Sequence, residues 1–337
     1  MPNALIIGAG VAGASAAATL AAEDWNVTVV DKATRPGGRC ATRRVAADPA
    51  SAWFDYGAQY FTARAPDFRS EIERDLEAGA LTRWQPSIHI ARRFADGWQR
   101  TPSPDDRERL MGPDGLNGWV RHRLEKATVD VQCGRQVIAV THEKNGWTLQ
   151  FEGGHEPLIA DALIVTLPAV QAAALLGHMT TDIPVLASAD QALDPCQSLV
   201  VSAPPLDDCH SIFVKDGHLA WCADNSHKAG AADTQRDLWT LHAGPAFSSD
   251  HLEHAPEDIT AALTEEFAAL SGIEPSHIEP VRHHRWLYAR PGPNPPPADT
   301  LCISRPGQRL ALAGDWLAGG RVEGAWLSGR AAARSLL

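Results

Sequence analysis

Three glycines near the start of the chain carry the clearest chemistry. In Ala4-Leu-Ile-Ile-Gly8-Ala-Gly10-Val-Ala12-Gly13 an apolar run breaks into a turn and then an Ala-rich stretch, the order strand, turn, helix. Gly8 permits the tight turn, Gly10 lets the backbone approach a pyrophosphate, and Gly13 lets helix and strand pack closely, while the helix start offers N–H groups to phosphates. A second β-branched run from Asn26 to Val30 ends at Asp31, followed by Lys32. The Asp31 carboxylate stands where a ribose hydroxyl needs an acceptor. The spacing predicts a dinucleotide site.

The next residues narrow the cofactor. Arg35-Pro-Gly37-Gly38-Arg39-Cys-Ala-Thr42 follows the acid almost at once. Nicotinamide dehydrogenases do not usually carry this pattern. It resembles the second signature of FAD enzymes of the amine oxidase superfamily, where paired glycines let the loop pass the dinucleotide and the arginine faces the phosphates. The resemblance implies FAD in place of NAD(P).

The elements that must position these residues follow in order. Trp53-Phe-Asp55-Tyr-Gly57-Ala58-Gln59-Tyr60-Phe61-Thr62 is apolar and aromatic with one glycine and one amide. In flavoproteins built on two dinucleotide folds a segment here passes the isoalloxazine ring, which turns Gln59 and Tyr60 toward the reacting face; the alternative is a core strand with an incidental amide. Helical spacing runs from Asp67 to about Gly79 and again from Gly115 to Leu124, with Asp114 as candidate cap. Three β-rich runs between Thr128 and Phe151 read as a meander with a hairpin at Asn145-Gly146. Val137 lies in the middle run, and by resemblance its backbone reads the adenine edge.

Ala162 to Thr166, ended by Pro168, returns the chain to the nucleotide-binding sheet. Further strands are expected at Ser198–Val201, Leu219–Cys222 and Leu238–His242, with a helix from Glu257 to Ser271. The proline-rich run Pro291 to Pro297 reads as a stiff connector. The last strand, Leu310 to Asp315, ends in Gly314-Asp315, and a helix begins near Val322 with Glu323 and Ala325 in its first turns. The Asp315 carboxylate at that strand end suits the ribityl chain, and the helix aims its positive N-terminus at the flavin pyrimidine.

Composition excludes several classes. With 337 residues and 44% hydrophobic content the chain buries a substantial core. A formal charge of −11 argues against nucleic-acid binding, which needs clustered basic residues. No apolar run reaches the roughly 18 residues of a membrane span. The apolar N-terminus reads as strand one without a basic leader, so a cytoplasmic location is expected. Six cysteines lie without CxxC spacing, which predicts reduced thiols and neither a disulfide frame nor a zinc site, and no metal is expected.

Taken together the chain resembles the bacterial-type renalases, a branch of the FAD-containing amine oxidase superfamily. The residues that carry this are the fingerprint, Arg35–Thr42, Gly57–Thr62, Trp239-Thr-Leu-His242, His284 to Pro291, Gly314-Asp-Trp316 and Gly320 to Gly329. The family implies oxidation of isomeric 2- or 6-dihydro-NAD(P) by hydride transfer to flavin N5, with dioxygen reduced to hydrogen peroxide. It implies an α/β fold: an FAD-binding domain from residues 1–62, 126–169 and 300–337, and a discontinuous α+β substrate domain from 63–125 and 170–299. Gln59, Tyr60, Asn225, His242 and His284 are the candidate substrate-side residues, with Arg285 and Arg321 as partners for carboxamide or phosphate groups.

With few lysines and three tyrosines the chain is poor in the lysine and aromatic cage of amine oxidation. A dihydropyridine already carries a transferable hydride, so positioning suffices. No cysteine lies between Gly314 and Trp326, which predicts non-covalent FAD. The expected partners are a dinucleotide substrate and dioxygen, with no nucleic acid or membrane, in a monomer or weak homodimer. Other readings are a flavin amine oxidase or desaturase, a regulatory protein with a structural flavin, and an NAD(P) dehydrogenase.

Overall fold

The computed structural model describes residues 1–46, 51–144, 146–180, 183–187, 189–206, 208–228, 235–292 and 300–337. Ala4 to Ile7 are all buried, as a strand covered on both faces requires. The strand Asn3–Ile7 lies inside a six-stranded sheet, flanked in parallel by Asn26–Asp31 and Ala162–Val165. Asp130–Cys133 closes one edge beside Asn26–Asp31, and Leu310–Leu312 followed by antiparallel Ile303–Arg305 close the other.

Alternation along the central strand divides the core. Ala4 and Ile6 face the first helix, Val11–Ala21, and the last, Arg321–Arg334; Leu5 and Ile7 face a cluster containing Trp147, Leu149, Leu163 and Trp316. The two helices touch closely: a Cβ on Gly329 would lie 2.0 Å from the Ala12 carbonyl oxygen, and Ser15 Oγ donates to the Trp326 carbonyl at 2.8 Å.

A second sheet of seven strands has the order Glu279–Pro291, Leu193–Ala203, Asp237–Ala243, Leu219–Asp224, Ser211–Val214, Ile88–Phe94 and Gly97–Pro102. All neighbours are antiparallel except Ser211–Val214 with Ile88–Phe94. The helix Pro256–Ser271 covers it, packing Ile259, Leu263 and Phe267 against Leu199, Trp239 and Leu241. Glu257 and Asp258 complement the helix N-terminus, and Gly272 at φ +80° ends it.

Several expectations need correction. Asp130–Cys133 does not join the meander, because it pairs in parallel with Asn26–Asp31; the meander is Val137–Glu143, Gly146–Phe151 and Leu158–Ala160. Asn145 and residues 293–297 of the proline-rich run lie outside the described residues. From the helices Pro66–Glu77 and Leu116–Lys126, Phe68, Ile72, Trp119 and Leu124 share one buried cluster with Ala14, Leu20 and Trp326.

Asp114 does not cap its helix. The Asp55 carboxylate accepts the Leu116 N–H at 3.1 Å and the Thr42 hydroxyl accepts the Asn117 N–H at 3.2 Å, so the cap arrives from a distant strand. No helix of the described residues is long and apolar enough to cross a membrane.

Candidate functional site

The first glycine turn is built so that side chains are excluded. Gly8 has φ +113°, and a Cβ there would meet Thr166 Oγ1 at 2.4 Å; a Cβ on Gly13 would lie 1.9 Å from the Gly8 carbonyl oxygen. The Val11–Ala21 helix has no side-chain cap, so its first N–H groups face outward beside Gly10. The second loop lies against the first: the Gly37 N–H donates to the Ala9 carbonyl at 2.9 Å, and a Cβ on Gly38 would sit 3.3 Å from Gly10 Cα. Two glycine loops back to back form a narrow cradle of backbone with a helix N-terminus at its floor. That arrangement fits a pyrophosphate.

Asp31 and the Val137 segment meet at one end of the cradle. The Arg135 N–H donates to the Asp31 carbonyl at 2.9 Å, and the Gly134 N–H donates to the Ala33 carbonyl at 2.8 Å. The Asp31 carboxylate also braces the loops, accepting the N–H of Ala9 at 2.7 Å and of Ala33 at 2.8 Å. Each oxygen keeps a lone pair for a hydroxyl. Lys32 is exposed beside it.

Arg39 defines the other end. Its guanidinium pairs with both oxygens of Asp315, Nη1 lying 3.0 Å from Oδ2, and reaches the Ala289 carbonyl at 3.3 Å. Burial works against the charged guanidinium, but Asp315 outweighs it and the pKa of Arg39 is raised. The Asp315 carboxylate, expected at a ribityl chain, is thus engaged by Arg39. Gly57 and Ala58 pack on the same loop: a Cβ on Gly57 would fall 2.0 Å from the Arg39 carbonyl oxygen, which accepts the Ala58 N–H at 2.9 Å.

Gly314 lies at the foot of this end, its N–H bonded to Ser328 Oγ at 2.8 Å. The last helix follows from Gly320 with no side-chain cap, and buried Val322 and half-buried Ala325 hold it to the core. The Glu323 side chain accepts the N–H groups of Arg64 at 2.8 Å and Ala65 at 2.6 Å.

A buried polar hub forms around a residue that sequence reasoning passed over. Asp55 is fully buried. Its Oδ1 accepts from Leu116 N–H and Thr42, its Oδ2 accepts Lys228 Nζ at 3.0 Å, its N–H donates to Asn225 Oδ1 at 3.1 Å, and its carbonyl accepts Thr240 Oγ1 at 2.7 Å. Lys228 also donates to Gln59 Oε1 at 3.0 Å and lies over the Trp84 ring at 5.6 Å. Burial lowers the Lys228 pKa and Asp55 opposes that. The signal was present: an acid inside Trp-Phe-Asp-Tyr must find a partner.

The side-chain amides of Gln59 and Asn225, expected at the substrate, are engaged within the protein. Gln59 Nε2 donates to the carbonyls of Asp55 and Gly57, and Asn225 Nδ2 donates to Leu238 at 3.2 Å and Thr240 Oγ1 at 2.9 Å. Both amides are spent inside the protein. Arg285, expected near a carboxamide or phosphate, donates to the Leu252 carbonyl at 2.6 Å and pairs with Glu253. Arg321 is exposed with φ +70° at the start of the last helix.

His242 and His284 do come together. Both align with Ser198, from the two strands that flank Leu193–Ala203 on either side in the seven-stranded sheet. The Tyr56 carbonyl lies over this rung, accepting Ser198 Oγ at 2.9 Å and Trp286 Nε1 at 3.0 Å, with His242 Nε2 at 3.4 Å. The Tyr56 ring stacks on Trp286 at 5.4 Å and 19°, and His284 sits edge-on to both. Burial pushes both imidazoles down to about 4, so they are neutral at pH 7. Tyr60 packs separately among Trp84 and Trp221, with Arg109 over its ring at 5.2 Å. Tyr56 and Trp286 were missed; the i, i+2 spacing of His284, Trp286 and Tyr288 along one strand was the signal for Trp286.

The fold joins a Rossmann-like body, with its two glycine loops, to a large, mostly antiparallel sheet. Residues 6–73 match the NAD(P)-binding Rossmann-like domain family, and residues 231–337 match the family of flavin containing amine oxidoreductases. Among solved structures, cyclohexylamine oxidase from Brevibacterium oxydans IH-35A is similar at 14% identity and TM-score 0.72, covering 99% of this chain and 98% of that one. Putrescine oxidase bound to putrescine is similar at 14% identity and TM-score 0.70, with coverage of 99% and 98%. An oxidoreductase from Methanosarcina mazei matches at 13% identity and TM-score 0.72, with coverage of 98% and 99%. The chain shares the fold of these oxidases, and its C-terminal third matches the family model of flavin containing amine oxidoreductases.

Proposed function

We propose that the protein is an FAD-dependent oxidase of isomeric dihydronicotinamide dinucleotides, acting on the 2- or 6-dihydro forms of NAD(P). FAD, when bound, supplies a two-electron acceptor that takes hydride from the substrate and returns the electrons to dioxygen, giving hydrogen peroxide. The first-helix N-terminus with Gly10 and Gly38 would hold its pyrophosphate, Asp31 its adenosine ribose, and the Arg39–Asp315 end its flavin half, without a covalent bond.

The observation that carries the substrate assignment is the charge state of the groups beside Tyr56. His242 and His284 are neutral, with pKa values pushed down to about 4, and the Lys228 ammonium is tied to Asp55 and Gln59. The two imidazoles are poor proton acceptors at pH 7. Loss of hydride from a dihydropyridine removes no proton and forms an aromatic cation, so orientation against the Tyr56–Trp286 wall is what the chain must supply. Neutral imidazoles can also hydrogen-bond a carboxamide without repelling that cation.

The amine oxidase reading is favoured by the family matched at residues 231–337 and by the stacked aromatic pair Tyr56–Trp286. Anaerobic mixing of the flavin-loaded protein with borohydride-reduced NAD+, which contains several dihydro isomers, separates the two. Rapid bleaching of the flavin by the mixture, with little from ordinary NADH or amines, is expected. Bleaching by amines alone would establish the second reading, and bleaching by dithionite alone would leave a non-catalytic flavoprotein.

A further inference from the structure

The hairpin that delivers Lys228 carries a second polar cluster at its base. Asp224 ends the strand Leu219–Asp224 and Asp237 begins the antiparallel strand Asp237–Ala243, so two carboxylates meet where the hairpin opens. Asp224 is 0% exposed and Asp237 4%. His227 contributes Nδ1 from the turn, in contact with Asp224 Oδ2, and its ring is open to solvent. One ligand atom from each of the three residues lies within 4.8 Å of the others.

Asp237 Oδ2 is buried and accepts no hydrogen bond, whereas Asp224 Oδ1 is satisfied by the Ser226 N–H at 2.7 Å. An acceptor aimed at another carboxylate without a donor is a costly arrangement unless something positive stands between them.

We propose that Asp224, His227 and Asp237 bind a divalent transition-metal ion of the zinc class. One imidazole nitrogen and two carboxylate oxygens form the three-ligand set that zinc accepts, and the exposed side of His227 leaves a fourth position for water. The mixed nitrogen and oxygen donors disfavour magnesium and calcium, which take oxygen ligands almost exclusively.

Its place in the fold gives the ion a positioning role. The turn it clasps holds Asn225 and Lys228, both bonded to Asp55. The ion touches neither cofactor nor substrate. It fixes the base of the segment that closes the Asp55 hub.

Equilibrium dialysis of the flavin-loaded full chain against zinc sulfate tests this, with magnesium chloride as comparison and Asp237→Asn and His227→Ala as variants. One zinc per chain is expected for the native protein, with affinity weakened at least about 10-fold in each variant. Zinc should also raise the melting temperature of the native protein and leave that of Asp237→Asn unchanged. No binding at about 0.1 mM zinc, or equal binding in both variants because other histidines hold the ion, overturns the proposal. Should Asp237→Asn fail to fold, His227→Ala, whose side chain is exposed, decides alone.

Discussion

Lys228 Nζ lies 3.0 Å from Asp55 Oδ2, and neither side chain has any exposed surface. The pair joins the hairpin of the seven-stranded sheet to the strand that leads into Gly57 and Gln59. Removing one partner of such a pair leaves an uncompensated charge and costs roughly 3–5 kcal/mol. Lys228→Met is expected to lose about that much stability in urea denaturation. The double variant Asp55→Asn with Lys228→Met should recover part of it, because no charge is left unpaired. Wild-type stability in Lys228→Met would mean that the pair is not buried in solution.

Burial lowers the pKa of His242 to about 4, against about 6.5 in an unfolded chain. Between those values the unfolded state binds the proton and the folded state does not, so stability rises with pH through this window and is lost as pH falls toward 4. The shift corresponds to roughly 3 kcal/mol for this buried imidazole. His284, shifted the same way but more open to solvent, adds to the slope. Denaturation at pH 6.5 and pH 4.5 should show the fall, and His242→Gln should flatten it. Turnover should show no inflection from either imidazole between pH 6 and 8.

Arg39 meets Asp315 through both guanidinium nitrogens, a geometry that lysine cannot reproduce. Arg39→Lys keeps the charge and loses the fork. Charged hydrogen bonds of this kind are worth about 1.5–3 kcal/mol each, so FAD affinity should fall by at least about 10-fold. Titration of the apoprotein with FAD, followed by flavin fluorescence, measures it. An unchanged affinity would remove this pair from the cofactor site.

Glu323 serves as a remote cap for the helix Pro66–Glu77 through the N–H groups of Arg64 and Ala65. Capping side chains of this kind contribute about 1 kcal/mol. Glu323→Ala should therefore lower stability by about that amount in urea while leaving FAD affinity near the native value. A large loss of FAD affinity with little loss of stability would contradict this assignment.

What could be read from the sequence was local. Glycine at positions 8 and 13 is demanded by contacts within the first turn and with the adjacent strand, so their spacing announces their geometry. The period of Phe68 and Ile72, or of Ile259, Leu263 and Phe267, likewise announces a buried helix face. The Asp55 site depends on residues far along the chain, as Asn225, Lys228 and Thr240 show. Gln59 and Asn225 stood out as polar residues near aromatic ones, but nothing adjacent reveals that their amides are consumed by backbone carbonyls. Asp130–Cys133 was misread because a β-rich run does not state its partner.

The Asp55 hub also orders events during synthesis. Residues up to Tyr56 leave the ribosome long before Lys228 and Thr240, yet the Asp55 carboxylate and carbonyl need both. Contacts of such long sequence separation form late, and the segment carrying them stays exposed in the meantime. Nascent chains halted before residue 228 should therefore remain open to proteolysis around Asp55, and chains released beyond residue 240 should become resistant. The two halves of the molecule would then mature together, with the early half waiting on a lysine made much later.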